Sequence, residues 1–431
     1  MWRFVSLRRG RGRGIYDRMR TVVNYTVLEI RMNSKLSFGK KLFLTLIALA
    51  IAAGLWLPSM HLLFRPRMDA YLSDTGISIK ARALAARHLA LWSDPELRAE
   101  EIAKMRQNNA EWDFMARTFF VLALGNMALR EPEAKGEYLE IVDAIIEETI
   151  RLEQENGAHY FLMAYAKYGH FRSRDSRSLF VDSEIALMMA VRRLVEEKEA
   201  YRPLLTERVE AMVAYMQESP VLSGESYPDE AWMFCNTTAL AAIRIADVLD
   251  GTDHSDFIGR WLEVAKRELV DPETGLLVSS FTFDGRPKDG PEGSSIWMVA
   301  HNLLLVDRAF AQDQYRRAKN ALSAGILGFG YAREWPQSWV GPMDVDSGPI
   351  VPFLEISAGS SGMALVAASA FGDGAYLSSL LTSLNFGGFP IEKDGQLRYA
   401  ASNQVGDAVM LYAMVLGPAW AEVERRGGGS W

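Results

Sequence analysis

Six segments between Glu111 and Asp407 share one pattern: a polar or acidic start runs straight into apolar and small residues that leave no polar face. The starts read Glu111-Trp-Asp113, Asp182-Ser-Glu184, Pro228-Asp-Glu230, Glu292-Gly-Ser-Ser295, Glu355-Ile-Ser357 and Asn403-Gln-Val-Gly-Asp407. A helix that is apolar on every side belongs in an interior. Six such helices, five of them followed by an amphipathic partner, predict an all-α closed helical toroid whose polar helix starts converge on one pocket. Acids placed at those starts are candidate catalysts.

The pattern predicts inner helices over residues 112–129, 180–194, 231–249, 295–310, 357–371 and 405–416. Amphipathic partners are predicted over 134–155, 201–217, 255–270, 314–326 and 375–385, with two polar-faced helices over 80–92 and 95–107 before them. Inner starts recur at about 50 to 70 residues, too irregular for a solenoid repeat and consistent with a closed ring. Alternation at Leu277, Ser279, Phe281 and Phe283 before the Asp284-Gly285 turn predicts a short β-hairpin rim. The long connections 157–178 and 328–353 have the length of site-forming loops.

Ahead of this body lies a different kind of segment. From Leu42 to Phe64 there is no Asp, Glu, Lys or Arg, and roughly 20 apolar residues in a helix cross a bilayer core. Residues 1–41 hold eleven Lys and Arg against Asp17 and Glu29, a net of +9, so a total of −7 leaves −16 on the rest. Lys35, Lys40 and Lys41 place that side in the cytoplasm and residues 65 onward outside, with Arg65 and Arg67 opposing weakly. A cleaved signal peptide is the rival, since Ala48-Leu-Ala50 and Ala50-Ile-Ala52 are small-x-small sites, but either cut falls inside the apolar run. The expected organisation is a basic cytoplasmic tail (1–41), a transmembrane signal-anchor (42–64) and one barrel domain (65–426). Arg8-Arg-Gly-Arg-Gly-Arg13 reads as part of that tail, or of an extension upstream of a start at Met32, rather than as a nucleic-acid arm. The expected partners are a small-molecule substrate and a membrane, with no nucleic acid; homo-oligomerisation is left open.

Cys235 is the single cysteine, which excludes an intrachain disulfide, so the fold must rest on packing. Six scattered His with no His-Glu-x-x-His and no Cys-x-x-Cys give no metal motif, and no cofactor is expected.

One stretch carries a specific resemblance. Ser226-Tyr-Pro-Asp-Glu-Ala-Trp-Met-Phe-Cys235-Asn-Thr-Thr-Ala-Leu, then Leu249-Asp-Gly-Thr-Asp253, Trp261-Leu and Glu268-Leu-Val-Asp-Pro-Glu-Thr-Gly275, resembles the linalool dehydratase/isomerase family over about residues 110–385. The resemblance implies an (α/α)6 barrel and cofactor-free hydration, dehydration and isomerisation of a tertiary terpene alcohol in the bacterial periplasm, here from a single-pass inner-membrane anchor. It also implies a site with two cysteines flanking a Pro-Asp segment. Cys235 matches the second, Ser226 stands at the first, and Glu184 falls near the family's catalytic histidine. A similar pocket is implied, with altered chemistry.

The residues add their own readings. Glu184, buried beside apolar walls, would have a raised pKa and act as a general acid; Asp182 beside it is a second acid or an ordinary N-cap. Trp112 and Asp113 pair an aromatic wall with an acid, or a staple with a cap. Tyr227, Asp229, Glu230 and Trp232 form the corresponding rim at the third helix. Cys235 is nucleophile, acid or inert core, with Asn236 a polar contact. Asp344 and Asp346 sit in a loop that should overlie the start at Glu355, as substrate binders, a second carboxylate or a solvated turn; the full calcium-loop pattern is absent. Trp297 and His301 share a helix face, with His301 a proton shuttle or a satisfied core histidine.

Three functions compete. A hydro-lyase or isomerase would protonate a leaving hydroxyl with Glu184 or Asp113 and set Cys235 or Ser226 against the carbon skeleton. A glycoside hydrolase would use opposed carboxyls, with Trp112, Trp232, Trp297 and Trp335 as stacking platforms. A non-catalytic membrane-tethered binding protein would keep the pocket without coupled acids.

Overall fold

The computed structural model describes residues 37–343 and 347–428. The chain divides after Met60 into two compact units, Met1–Met60 and His61–Trp431. In the first, the helix Phe38–Ser59 has no buried residue. It belongs to a 26-residue apolar span, Phe38–Leu63, of mean hydropathy 2.1, and at 1.5 Å per residue such a span exceeds the bilayer core of about 30 Å.

The second unit is mostly helical. Its six apolar helices are Ala110–Arg130, Leu179–Val195, Met233–Asp250, Gly293–Leu303, Ala358–Ala370 and Gln404–Val415. Each packs on the next, and the sixth packs on the first, so among the described residues these six close a ring. The tight fit is visible where Gly125 of the first meets Val191 of the second, since a Cβ there would come within 2.6 Å of the valine. The amphipathic helices Lys135–Asn156, Tyr201–Met216, Arg308–Leu322 and Gly374–Gly387 pack outside the helices they follow, and Ile79–Ser93 packs outside the sixth. Helix Ser255–Glu268 buries Phe257, Ile258, Trp261 and Ala265 on one face.

Polar caps hold the inner starts. Asn109 accepts from the backbone of Glu111, Ser178 from Val181, Ser357 from Ser360 and Asn403 from Gly406. These caps satisfy N–H groups that a helix start leaves open, and they leave the nearby acids for other roles. At the opposite end the last helix, Pro418–Arg426, closes the ring: Ala419 donates to Asn126 Oδ1 at 3.0 Å, and Arg426 donates to the carbonyl of Leu194 at 2.9 Å.

Three predicted boundaries move. The fourth inner helix ends at Leu303 rather than 310, and Asp307 caps the partner helix Arg308–Leu322 by accepting from Phe310 at 2.9 Å. The continuous apolar run Leu303-Leu-Leu-Val306 hid that break; the periodic signal says nothing where every residue is apolar. The partner helix stops at Leu322, and Ser323–Ile326 instead pairs antiparallel with Phe329–Ala332. Likewise the expected hairpin becomes a three-stranded edge in which Ser280–Phe281 lies between Ala231–Trp232 and Pro287–Asp289. The third inner helix therefore begins at Met233, two residues later than predicted.

Candidate active site

All six inner starts border one cavity of about 510 Å³, within the range of small-molecule sites. Its wall has two characters. One side carries Asn109, Glu111, Trp112, Tyr227, Trp232 and Cys235; the other is smooth and largely apolar, with Ala358, Gly359, Gly362, Met363, Val405 and Val409. Ser294, Ser295, Ser402 and Asn403 lie on the wall too, and Met115 and Phe180 add apolar surface from the first two helices.

The polar side is held by a chain of contacts. Tyr227 donates its hydroxyl hydrogen to Glu111, accepts from the backbone N–H of Met163 at 3.0 Å and stacks on Tyr165 with ring centres 4.8 Å apart. Trp232 donates its indole N–H to Glu230 at 2.7 Å, and Lys288 pairs with the same carboxylate. Beneath them Glu225, buried, accepts from the backbone of Arg172, Ser173 and Asp229. That one carboxylate ties the 157–178 loop to the turn that presents Ser226 and Tyr227. The turn itself bends at Asp229, which has φ +53°.

Two buried titratable groups lie at or behind this wall. Cys235 lies on the wall. Burial pushes its thiol well above the usual range; a hydrogen bond with the Ser226 hydroxyl works the other way, while Glu184 and Glu111 push it further up. It is a protonated thiol at neutral pH rather than a thiolate. Glu184 is 1% exposed, and burial raises its pKa to about 8 against the opposing hydrogen bond from Thr118. Its Oε1 has no hydrogen-bond partner among the described residues. It lies one helical turn below Phe180, on the same face, so Phe180 lines the cavity and Glu184 sits behind the wall. A carboxyl kept neutral by burial is a proton donor in waiting.

The model of the linalool dehydratase/isomerase family matches residues 160–405. The chain belongs to the linalool dehydratase/isomerase family. The matched stretch contains Glu184, Ser226, Tyr227 and Cys235, while Glu111 precedes it. Among solved structures the chain is similar to a D-mannose isomerase, at 13% identity and a TM-score of 0.40 over 72% of this chain and 86% of that one. It is also similar to a polysaccharide lyase, at 12% identity and a TM-score of 0.31 over 72% of this chain and 99% of that one.

Several residues expected at the site of this dehydratase/isomerase relative lie elsewhere. Asp113 is buried away from the cavity, bonded to Arg117 at 2.9 Å and paired with Arg106 at 3.3 Å, and Arg117 continues to Glu148. Asp182 faces the outer helices, where Arg177, Arg208 and Tyr215 satisfy it. Asn236 closes on backbone groups of Gly224 and Trp232. Trp297 donates its indole N–H to Ser360 at 3.1 Å between the fourth and fifth helices. His301 stacks on Trp420 at 4.8 Å and bonds Tyr412 at 2.7 Å at the far end of the ring; burial lowers its pKa to about 3, so it stays neutral. Asp229 contacts Arg172 and the backbone of Phe283, and Glu355 is exposed and pairs with Arg333. Ser226 is buried next to Cys235, behind the wall rather than on it. Asp344 and Asp346 fall outside the described residues.

Glu111, read from the sequence only as the polar start of the first inner helix and given no role there, is the acid that stands on the cavity wall. Helical spacing identifies it: Glu111 and Met115 share the cavity face, whereas Asp113 and Arg117, also four apart, form an ion pair on another face. The same rule separates Phe180 and Glu184 from Asp182.

Proposed function

We propose that this protein is a membrane-anchored, cofactor-free acid/base lyase or isomerase acting on a small alkenol or terpenoid alcohol, built as an (α/α)6 toroid whose body lies in the periplasm. The observation that supports the reading is Glu184: a wholly buried carboxyl with a pKa near 8 and an unpaired oxygen, near enough to Cys235 to act on its thiol electrostatically, in a family of dehydratase/isomerases.

In the proposed reaction the apolar part of the substrate lies along the Gly359, Gly362 and Val409 side, and its hydroxyl faces Cys235. The C–O bond breaks as a proton from Glu184, relayed by the Cys235 thiol, reaches the oxygen, and the bonding pair leaves with water. Glu111 takes the proton from the neighbouring carbon, whose C–H pair becomes the double bond. Return of that proton to Glu184 restores the resting state, so nothing is oxidised or reduced. Tyr227 orients Glu111 and Trp232 covers the apolar segment.

A glycosidase needs two carboxyls facing across the cavity. Glu111 is the one carboxylate on the wall among the described residues, so support for that reading is weaker. The test is a product screen of the purified protein on tertiary and primary allylic alcohols and on oligosaccharides, with Cys235→Ala alongside. Alkene or rearranged alcohol lost in the variant supports the proposal; sugar release with alcohols untouched sinks it.

A further inference from the structure

Within the His61–Trp431 unit an exposed apolar patch lies outside the cavity lining. Phe64, Phe329 and Phe386 pack ring on ring at its centre, with centroid separations of 6.3, 5.0 and 5.1 Å. His61 meets Phe329 edge-on and sits against Gly328, where no Cβ would fit. Asn385 clamps the segment by donating to the carbonyl of Phe64 at 2.9 Å. Around this centre Leu62, Leu63, Ile326, Leu327 and Phe389 stand exposed, Leu63 to 73% and Phe389 to 63%.

Two details argue that the exposure serves binding. Leu327, in the turn between Ser323–Ile326 and Phe329–Ala332, and Phe389, in the link between helix Gly374–Gly387 and strand Pro390–Lys393, have φ of +50° and +51°, a region that bulky side chains rarely adopt. A tip that needed only to turn in water would gain from glycine or asparagine there. Contiguous exposed apolar surface of this kind marks an interaction site.

The chain itself indicates the occupant. Leu62 and Leu63 belong both to the patch and to the apolar span Phe38–Leu63, so the patch is covalently continuous with the segment that would enter a bilayer. Arg65 follows directly, and Lys393 lies two residues beyond Ile391 in the strand Pro390–Lys393; both are exposed and suited to anionic headgroups. We infer that the two apolar tips around Phe64 lie in the headgroup boundary of the bilayer that takes up the Phe38–Leu63 span. This rests on the membrane-anchored part of the proposed function and is independent of the catalytic part. It fixes the body against the surface from which an apolar alcohol would partition.

The test uses the full chain in nanodiscs of phosphatidylcholine and phosphatidylglycerol containing lipids with a doxyl quencher near the headgroup, and for residue 49 a doxyl quencher near the end of the acyl chain. Fluorophores are placed singly on Leu49→Cys in the apolar span, Leu327→Cys and Phe389→Cys in the patch, and Leu204→Cys on the outer helix Tyr201–Met216; the native Cys235 is buried. Quenching at residues 327 and 389 should exceed that at 204 by about threefold or more, as expected for tips seated about 5–10 Å into the boundary. Quenching at 49 with 327 and 389 no better than 204 overturns the inference and leaves the anchor standing. No quenching at 49 removes both. Protection of 327 from aqueous iodide without doxyl quenching assigns the patch to a second copy of the chain and also overturns the inference.

Discussion

Tyr227 donates its phenolic hydrogen to Glu111 across the cavity wall, joining the turn before the third inner helix to the start of the first. The same oxygen accepts the backbone N–H of Met163, so one side chain fixes an acid, a loop and a helix entrance. Its own pKa is driven far up by burial and by Glu111, which keeps it a donor at every accessible pH.

Tyr227→Phe removes that donor from Glu111. Hydrogen bonds to charged groups contribute about 1.5–3 kcal/mol, so kcat/KM should fall roughly 10- to 100-fold while the protein stays folded. Steady-state kinetics and a melting curve on the same sample check both halves; unchanged kinetics would remove Glu111 from the mechanism.

Asp113→Asn separates stability from catalysis. It breaks the buried pair with Arg117, and removing one partner of such a pair typically costs about 3–5 kcal/mol. Urea unfolding should report a loss of that order, with turnover per folded molecule near wild type because Asp113 does not reach the cavity.

The chain shows its ring plainly and its chemistry only in part. All six polar starts lead into inner helices, because an all-apolar helix has nowhere else to go. Which acid faces inward was hidden: Glu111 and Asp113, or Glu184 and Asp182, are two residues apart and look alike as letters, yet two residues are about 200° on a helix. The partner contacts decide, and Asp182 finds Arg208 at 26 residues' separation, beyond any local pattern. For His301 the spacing left both a shuttle and a satisfied core histidine open, and the contact that favours the core reading comes from Trp420, more than a hundred residues later.

Gly362 sets the room on the apolar side. A Cβ there meets only Val409 Cγ1, at 4.0 Å, so Gly362→Ala adds a methyl to the cavity without a clash. Helix stability should rise by up to about 1 kcal/mol, raising the melting temperature, while turnover of longer or branched alcohols falls relative to short ones. Gly362→Val should deepen that selectivity. A chain-length profile identical to wild type would show that the substrate does not lie on this side.

The pH dependence of stability has a definite sign. In the fold Glu184 holds its proton up to about pH 8, and Asp407, also buried, up to about pH 7, whereas both would ionise near pH 4 to 4.5 when unfolded. These two acids hold extra protons in the fold across that interval and lower stability as pH rises; below about pH 6.5 the buried, neutral His88 and His301, with pKa values lowered to about 3, work the other way, so the net decline falls between about pH 6.5 and 8. Glu184→Gln should flatten the upper part of the decline in chemical unfolding followed from pH 5 to 9. A decline left as steep as in wild type would mean that Glu184 ionises normally.

The most direct measurement is the rate of alkene formation from a tertiary allylic alcohol, followed by headspace gas chromatography, for wild type and Glu184→Gln across pH 5 to 9. Loss of the acid should lower kcat by about 100-fold or more, and the wild-type rate should fall as pH passes through about 8. Equal rates for the two proteins, or a wild-type rate that climbs through pH 8, would contradict the assignment of Glu184 as the proton donor.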